Sequence, residues 1–192
     1  MFKLYTKYGD NGETGLLYGG RVSKDDIRCN SYGTVDEIIS SLGLARSFST
    51  NEEVNKYLRV IQVELFTVGS ELATDVSMYE TMKSNFKVIG QDNIDYLEKL
   101  LDYITPKLEL PRSFVIPGSN SCSAAIDVSR SVARRAERLV VNMHEQNLLN
   151  NDLILVYLNR LADTLFALAR YAEIHTGFDS LDKAEINYDL GK

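Results

Sequence analysis

The chain has 192 residues, of which 44% are hydrophobic and 25% charged, with a formal net charge of -6. That length holds one domain of ordinary size, and the composition is globular rather than disordered or fibrous. The negative balance argues against a general nucleic-acid or anionic-membrane binder, and no apolar stretch reaches membrane-spanning length. The N-terminus carries no apolar signal core. The two cysteines, Cys29 and Cys122, lie far apart in the sequence. They fit a reducing compartment and exclude a disulfide framework or a thiolate zinc site. A single-domain cytoplasmic protein is expected.

Glycine and proline divide the chain unevenly. Gly9, Gly12, Gly15, Gly19 and Gly20 crowd the first twenty residues, and Pro106, Pro111 and Pro117 share one short window. Long helices are permitted elsewhere. The run Thr34-Val35-Asp36-Glu37 has capping-box spacing and predicts a first helix to about Ser47. A second starts near Asn51, with Val54, Leu58, Ile61, Leu65, Val68 and Leu72 at alternating steps of four and three, a seam for bundle packing. Residues 74–90 show no period and read as a long, mobile connection. A third helix places Ile94, Leu97, Leu101 and Ile104 on one face and stops at Pro106. A fourth runs from about Ser121 to Gln146, and a fifth from about Asp152 to His175, with Gly177 as its C-terminal cap. The expected fold is all-α: an antiparallel five-helix bundle (34–177) behind an irregular glycine-rich segment (1–30), with a loose tail at 178–192.

Four constellations could carry chemistry. In Tyr5-Thr6-Lys7-Tyr8-Gly9-Asp10-Asn11-Gly12-Glu13-Thr14-Gly15, the glycines let backbone amides approach an anion while Thr6, Lys7 and Thr14 add donors. A turn-rich cap without a ligand is an equal reading. On the fourth helix, Arg130, Arg134 and Arg138 recur every four residues, flanked by Arg135 and Glu137, with Asp127 one turn earlier. Such a run is often a solvated face. Here the flanking Ala124, Ala125, Ile126, Val132, Ala133 and Ala136 belong to a core helix, so the arginines favour a cleft or a subunit interface. The guanidinium fork suits polyphosphate. On the fifth helix Asn159, Asp163 and Arg170 form a polar stripe that needs partners, either another helix's charges or a ligand; spacing alone favours a purely structural hydrogen-bond network. Asp36 sits one turn into the first predicted helix, where a carboxylate suits the helix dipole.

Other chemistries are excluded. Arg21 and Val22 stand where a Walker loop needs Lys and Ser or Thr, and no Gly-x-Gly-x-x-Gly occurs. His144 and His175 form no Glu-x-x-His pair, and no Gly-x-Ser-x-Gly elbow exists. The chain offers no evident nucleophile, so an enzyme built on it would take the reactive atom from a substrate or cofactor.

Taken together, the segments resemble one family, the ATP:cob(I)alamin adenosyltransferases of the PduO type. The resemblance rests on Tyr5-Thr-Lys-x-Gly-Asp-x-Gly-x-Thr14, Arg21-Val-x-Lys24, Tyr32-Gly-Thr-Val-Asp-Glu37, Phe114-Val-x-Pro-Gly118, Arg134-Arg-Ala-Glu-Arg138 and Tyr157-Leu-Asn-Arg-Leu-x-Asp163. It implies a homotrimer of five-helix bundles with active sites between subunits. The implied reaction moves the 5′-deoxyadenosyl group of ATP to cob(I)alamin, releasing triphosphate and forming adenosylcobalamin, which an acceptor enzyme would receive.

By the same resemblance Thr6, Lys7, Tyr8, Gly9, Glu13, Thr14 and Lys24 would hold ATP together with Arg134, Arg135, Ala136, Glu137, Arg138 and Asn159. Mg²⁺ would ride on the phosphates, with Glu137 as a candidate ligand. Asp36 and Arg130 would order the corrinoid side, Phe114 would displace the lower axial ligand of cobalt, and Arg134 would serve the leaving triphosphate. The chain departs from the family pattern at Ser119 (usually glycine), Asp127 (usually histidine) and Ile39 (commonly asparagine), all near the expected corrinoid side. A sensor or carrier that binds ATP and cobalamin without efficient turnover is the alternative.

Overall fold

Six α-helices and four short strands make up the described part of the chain, which in this computed structural model comprises Tyr5 and residues 7–184. The order is β1 (Glu13–Gly15), β2 (Arg21–Ser23), α1 (Ile27–Phe48), α2 (Glu52–Leu72), α3 (Tyr79–Asn85), α4 (Gln91–Ile104), β3 (Val115–Ile116), α5 (Ser121–Glu145), α6 (Leu153–Tyr171) and β4 (Asp179–Ser180). The expectation of a helical bundle agrees with this architecture. α1 packs on α2 and α5, and α6 packs on α5 and α4.

α2 shows most directly how sequence becomes packing. Its seam residues Val54, Leu58, Ile61, Leu65, Val68 and Leu72 are all fully buried. Each such side chain contributes about 1.5–3 kcal/mol relative to exposure. Asn51 caps the helix by accepting from the Glu53 and Val54 amides.

Several boundaries differ from expectation, each for a local reason. α1 begins about two turns before Thr34, because Asp26 accepts from the Arg28 amide and serves as the cap. The Thr34 hydroxyl instead donates to the Asn30 carbonyl inside the helix. α6 ends at Tyr171, and the chain continues as turns to Gly177, which has φ +78° and donates its amide to the Glu173 carbonyl.

The stretch 74–90 is ordered rather than loose. Buried Glu71 accepts from the Ile89 amide at 2.6 Å, Asn151 Nδ2 at 2.8 Å and the Tyr79 hydroxyl at 2.8 Å. Three donors converging on one carboxylate tie this segment to the start of α6, and Met82 and Ile89 fill the core behind it. The front of the expected tail is also paired: β4 runs antiparallel to β3, with Val115 opposite Ser180. Residues 185–192 lie outside the described part.

Candidate active site

The N-terminal segment is held together by one arginine. Arg21 donates to the Tyr8 carbonyl at 2.6 Å and the Glu13 carbonyl at 3.2 Å, and its Nε meets the Glu13 carboxylate at 3.3 Å. Residues 8–13 are thereby drawn into a loop over the β1–β2 hairpin. The Lys24 amide bonds the Gly12 carbonyl at 2.8 Å. The Lys24 ammonium lies against Gly9, where a Cβ would stand 3.1 Å from Nζ. Lys7, Tyr8, Gly9, Glu13 and Lys24 thus form one group, and Thr14 follows in β1. Thr6 lies outside the described residues.

This group is fixed to the bundle from two sides. The Leu17 amide bonds the Ala73 carbonyl at 2.9 Å and the Asp75 amide bonds the Tyr18 carbonyl at 2.8 Å. Gly19, at φ +125°, is required there, since a Cβ would come within 2.6 Å of Asp75 Cβ. On the other side the Tyr32 hydroxyl donates to Cys29 Sγ at 3.1 Å. Burial, aided by the Cys29 thiol, pushes the Tyr32 phenol up to about 12, while a hydrogen bond with the Thr14 hydroxyl acts the opposite way. The Cys29 thiol in turn donates to the Ser23 carbonyl of β2 at 3.5 Å, which ties the hairpin to α1.

The second group lies on α5 and α6. Arg130, Arg135 and Arg138 line a groove of about 570 Å³ with Pro117, Ala124, Asp127, Val128, Ser131 and Val132. Arg134, also exposed, falls between Arg130 and Arg138 by helical phase. Arg135 is ion-paired with Glu37 of α1. Asn159 of α6 donates its amide to Glu137 at 3.0 Å, which orients that carboxylate. Ala136 is fully buried, so it belongs to the core of α5 and offers no side-chain surface to a ligand.

The expected Asp36–Arg130 pair is not formed within one chain. Asp36 is exposed on the α1–α2 cleft, a space of about 390 Å³ shared with Leu17, Tyr32 and Ile39. Arg130 instead bonds Asp127 at 3.0 Å. Phe114 is 82% exposed just before β3, three residues from the Pro117 that borders the arginine groove. Among the described residues no hydrogen bond or ion pair joins the hairpin group to α5 or α6.

The chain matches the family model for cobalamin adenosyltransferases over residues 4–172. It belongs to that family. A corrinoid adenosyltransferase of Citrobacter freundii is 41% identical over 173 residues, spanning 90% of this chain and 96% of that protein. One from Bacillus subtilis is 36% identical over 184 residues, spanning 94% and 91%. Among solved structures, a phenylalanine-to-alanine variant of the PduO-type ATP:corrinoid adenosyltransferase from Lactobacillus reuteri, complexed with cobalamin and ATP, is similar to this chain with a TM-score of 0.84 and 32% identity. The match covers 93% of this chain and 98% of that one.

The arginines of α5 give this family member a donor set suited to phosphate oxygens. Among the described residues no three His, Cys, Asp or Glu side chains gather as a metal cluster. Glu137, held by Asn159, is a carboxylate set among the arginines of α5. That fits Mg²⁺ arriving on a nucleotide, since magnesium is commonly held by one or two carboxylates plus substrate phosphates. No helix among the described residues is long and apolar enough to cross a membrane.

Sequence reasoning passed over two features of this family member. Arg21 acts as the staple of the N-terminal loop, and the Arg170–Glu173 pair lies buried behind Asp127. The Arg-x-x-Glu spacing was the available signal for the second; for the first, only a motif position marked it.

Proposed function

We propose that this protein is an ATP:corrinoid adenosyltransferase whose sites form between neighbouring copies of the chain. Cob(I)alamin is the nucleophile: its cobalt attacks the 5′ carbon of ATP, the Co–C bond forms, and the C5′–O bond breaks. The triphosphate leaves with the electron pair. No side chain needs to act as a base, because reduced cobalt carries its own electron pair, and the groove offers Arg130, Arg135 and Arg138 for the leaving anion.

The observation that carries this reading is the arginine groove of α5 in a chain that belongs to this family. Arg134, Arg135 and Arg138 would bear on the leaving triphosphate, where charge develops as the bond breaks. Glu137 would hold Mg²⁺ brought with ATP, and Asn159 would orient it. Lys7, Gly9, Glu13, Thr14 and Lys24 would grip ATP from the hairpin of the adjacent copy, with Thr6 and Tyr8 beside them. Asp36 and Arg130 would order the corrinoid, their pairing completed across the interface. Phe114, exposed and apolar, would exclude water and the lower nitrogen donor of cobalt, easing reduction of Co(II).

The assembly consistent with this reading is a homotrimer of single-domain antiparallel five-helix bundles, working in the cytoplasm and passing adenosylcobalamin to an acceptor enzyme. Two features support split sites: among the described residues no hydrogen bond or ion pair joins the hairpin to the arginines, and Asp36 and Arg130 line different clefts. The test is anaerobic mixing of the protein with cob(II)alamin and MgATP, followed by electron paramagnetic resonance and then a strong reductant. A four-coordinate Co(II) signal, then adenosylcobalamin and triphosphate in equal amounts, is expected. ATP binding without either product would leave only a carrier.

A further inference from the structure

Asp127 uses its two carboxylate oxygens for two different arginines. Oδ1 accepts from Arg130 Nε at 3.0 Å, and Oδ2 accepts from Arg170 Nη2 at 2.6 Å. Arg170 is 1% exposed and in turn is clasped by Glu173, with Nε to Oε2 at 2.6 Å and Nη2 to Oε1 at 3.1 Å. Asp127 is 4% exposed and Glu173 is fully buried. Two anions and one cation are therefore sealed inside the bundle, and Arg130 at the groove supplies the missing positive charge. An uncompensated buried charge is costly, so this balance holds the Arg130 guanidinium inward at Nε. Among the described residues Arg130 has no other hydrogen-bond partner, which leaves both terminal nitrogens of its fork for the groove.

We infer that Asp127, anchored from within the bundle by Arg170, is a positioning residue that fixes the fork of Arg130 toward the carboxylate of Asp36 in the neighbouring copy, and through that pair orders the corrinoid side of the site. This rests on the function proposed above and deepens it. A purely structural Asp127 would need only Arg170. That arginine is already neutralised by Glu173, so the charge of Asp127 is matched by Arg130 alone.

The same arithmetic makes the substitution testable. Asp127→Asn keeps the size and one acceptor and leaves Arg170–Glu173 as a balanced pair, so the fold survives. The variant should raise KM for cob(I)alamin at least tenfold, with KM for ATP within twofold of wild type. In an Arg130→Ala background it should add less than twofold, because the two residues act as one unit. Asp127→Glu keeps the charge but shifts the carboxylate; it should raise the corrinoid KM too, and provides the readout if the Asn variant does not fold. An unchanged corrinoid KM in the folded variant, an equal rise in both KM values, or multiplying effects in the double variant would overturn the role. A wild-type protein without turnover would instead overturn the underlying function.

Discussion

The amide of Leu181 donates to the carbonyl of Phe114 at 2.9 Å, so the segment after the last helix holds the aromatic residue that precedes β3. The Asp182 amide adds a bond to Ser113 Oγ at 3.2 Å. Phe114 is 82% exposed, and its own side chain does little to fix its backbone. The β3–β4 pairing does that instead.

Removing that one donor is a clean perturbation. Leu181→Pro deletes the amide hydrogen, at a cost of about 1 kcal/mol for a single hydrogen bond. Because the Leu181 side chain is 54% exposed, Leu181→Ala is the matched control. The proline variant should lower the rate from cob(II)alamin roughly three- to tenfold, with a smaller effect when chemically prepared cob(I)alamin is supplied, and the alanine variant should match wild type. Anaerobic spectrophotometry of adenosylcobalamin formation reads both. Equal losses from the two cobalt states would remove the link between the tail and Phe114.

The buried ion cluster makes a prediction about stability. Arg170→Met removes the buried guanidinium shared by Asp127 and Glu173 and leaves Glu173, fully buried, with no ion-pair partner among the described residues. Losing one partner of a buried pair costs about 3–5 kcal/mol, and here Glu173 loses its counterion while Asp127 keeps Arg130. Urea unfolding at neutral pH should show a loss of that size. A variant within about 1 kcal/mol of wild type would mean that water enters the cluster freely.

Glu64 gives the pH dependence. It accepts from Asn93 Nδ2 and from the Tyr157 hydroxyl, both at 2.9 Å, yet burial outweighs these bonds and raises its carboxyl above the usual 4.5. The folded chain then binds this proton more tightly than the unfolded chain. Its contribution to stability is complete below pH 4.5 and is lost as pH rises through the raised value. Glu64→Gln removes the titration. The stability difference, wild type minus variant, should therefore be larger at pH 5 than at pH 7 in paired urea titrations. A difference that grows toward pH 7 would give the shift the opposite sign.

What was legible in the sequence depended on whether the deciding interaction was local. The seam of α2 could be read because its period lies within one helix, and Asn51 because a cap acts over three residues. The start of α1 was misplaced because Thr34 and Glu37 have capping spacing, whereas Asp26 holds the actual cap. The segment 74–90 showed no period since its order comes from Glu71, which gathers donors from Ile89 and distant Asn151. The β3–β4 pairing was hidden for the same reason. At the site, the arginines of α5 and the polar stripe of α6 were visible as types and spacings. Their pairing was not: Arg170 with Asp127 and Asn159 with Glu137 depend on how two helices align.

The central claim is that each site joins the hairpin of one copy to the arginine face of another, and mixing two defective chains tests it most directly. Lys24→Ala spoils the hairpin half and Arg134→Ala the arginine half, and each variant alone should lose at least about tenfold in ATP-dependent turnover, the loss expected for one charge-assisted contact. Co-expressed at equal levels with separable tags, they should form hybrid oligomers in which roughly a quarter of the shared interfaces combine two intact halves, restoring about that fraction of wild-type activity. Hybrids no more active than the two parents averaged would contradict the claim and return the whole site to a single chain.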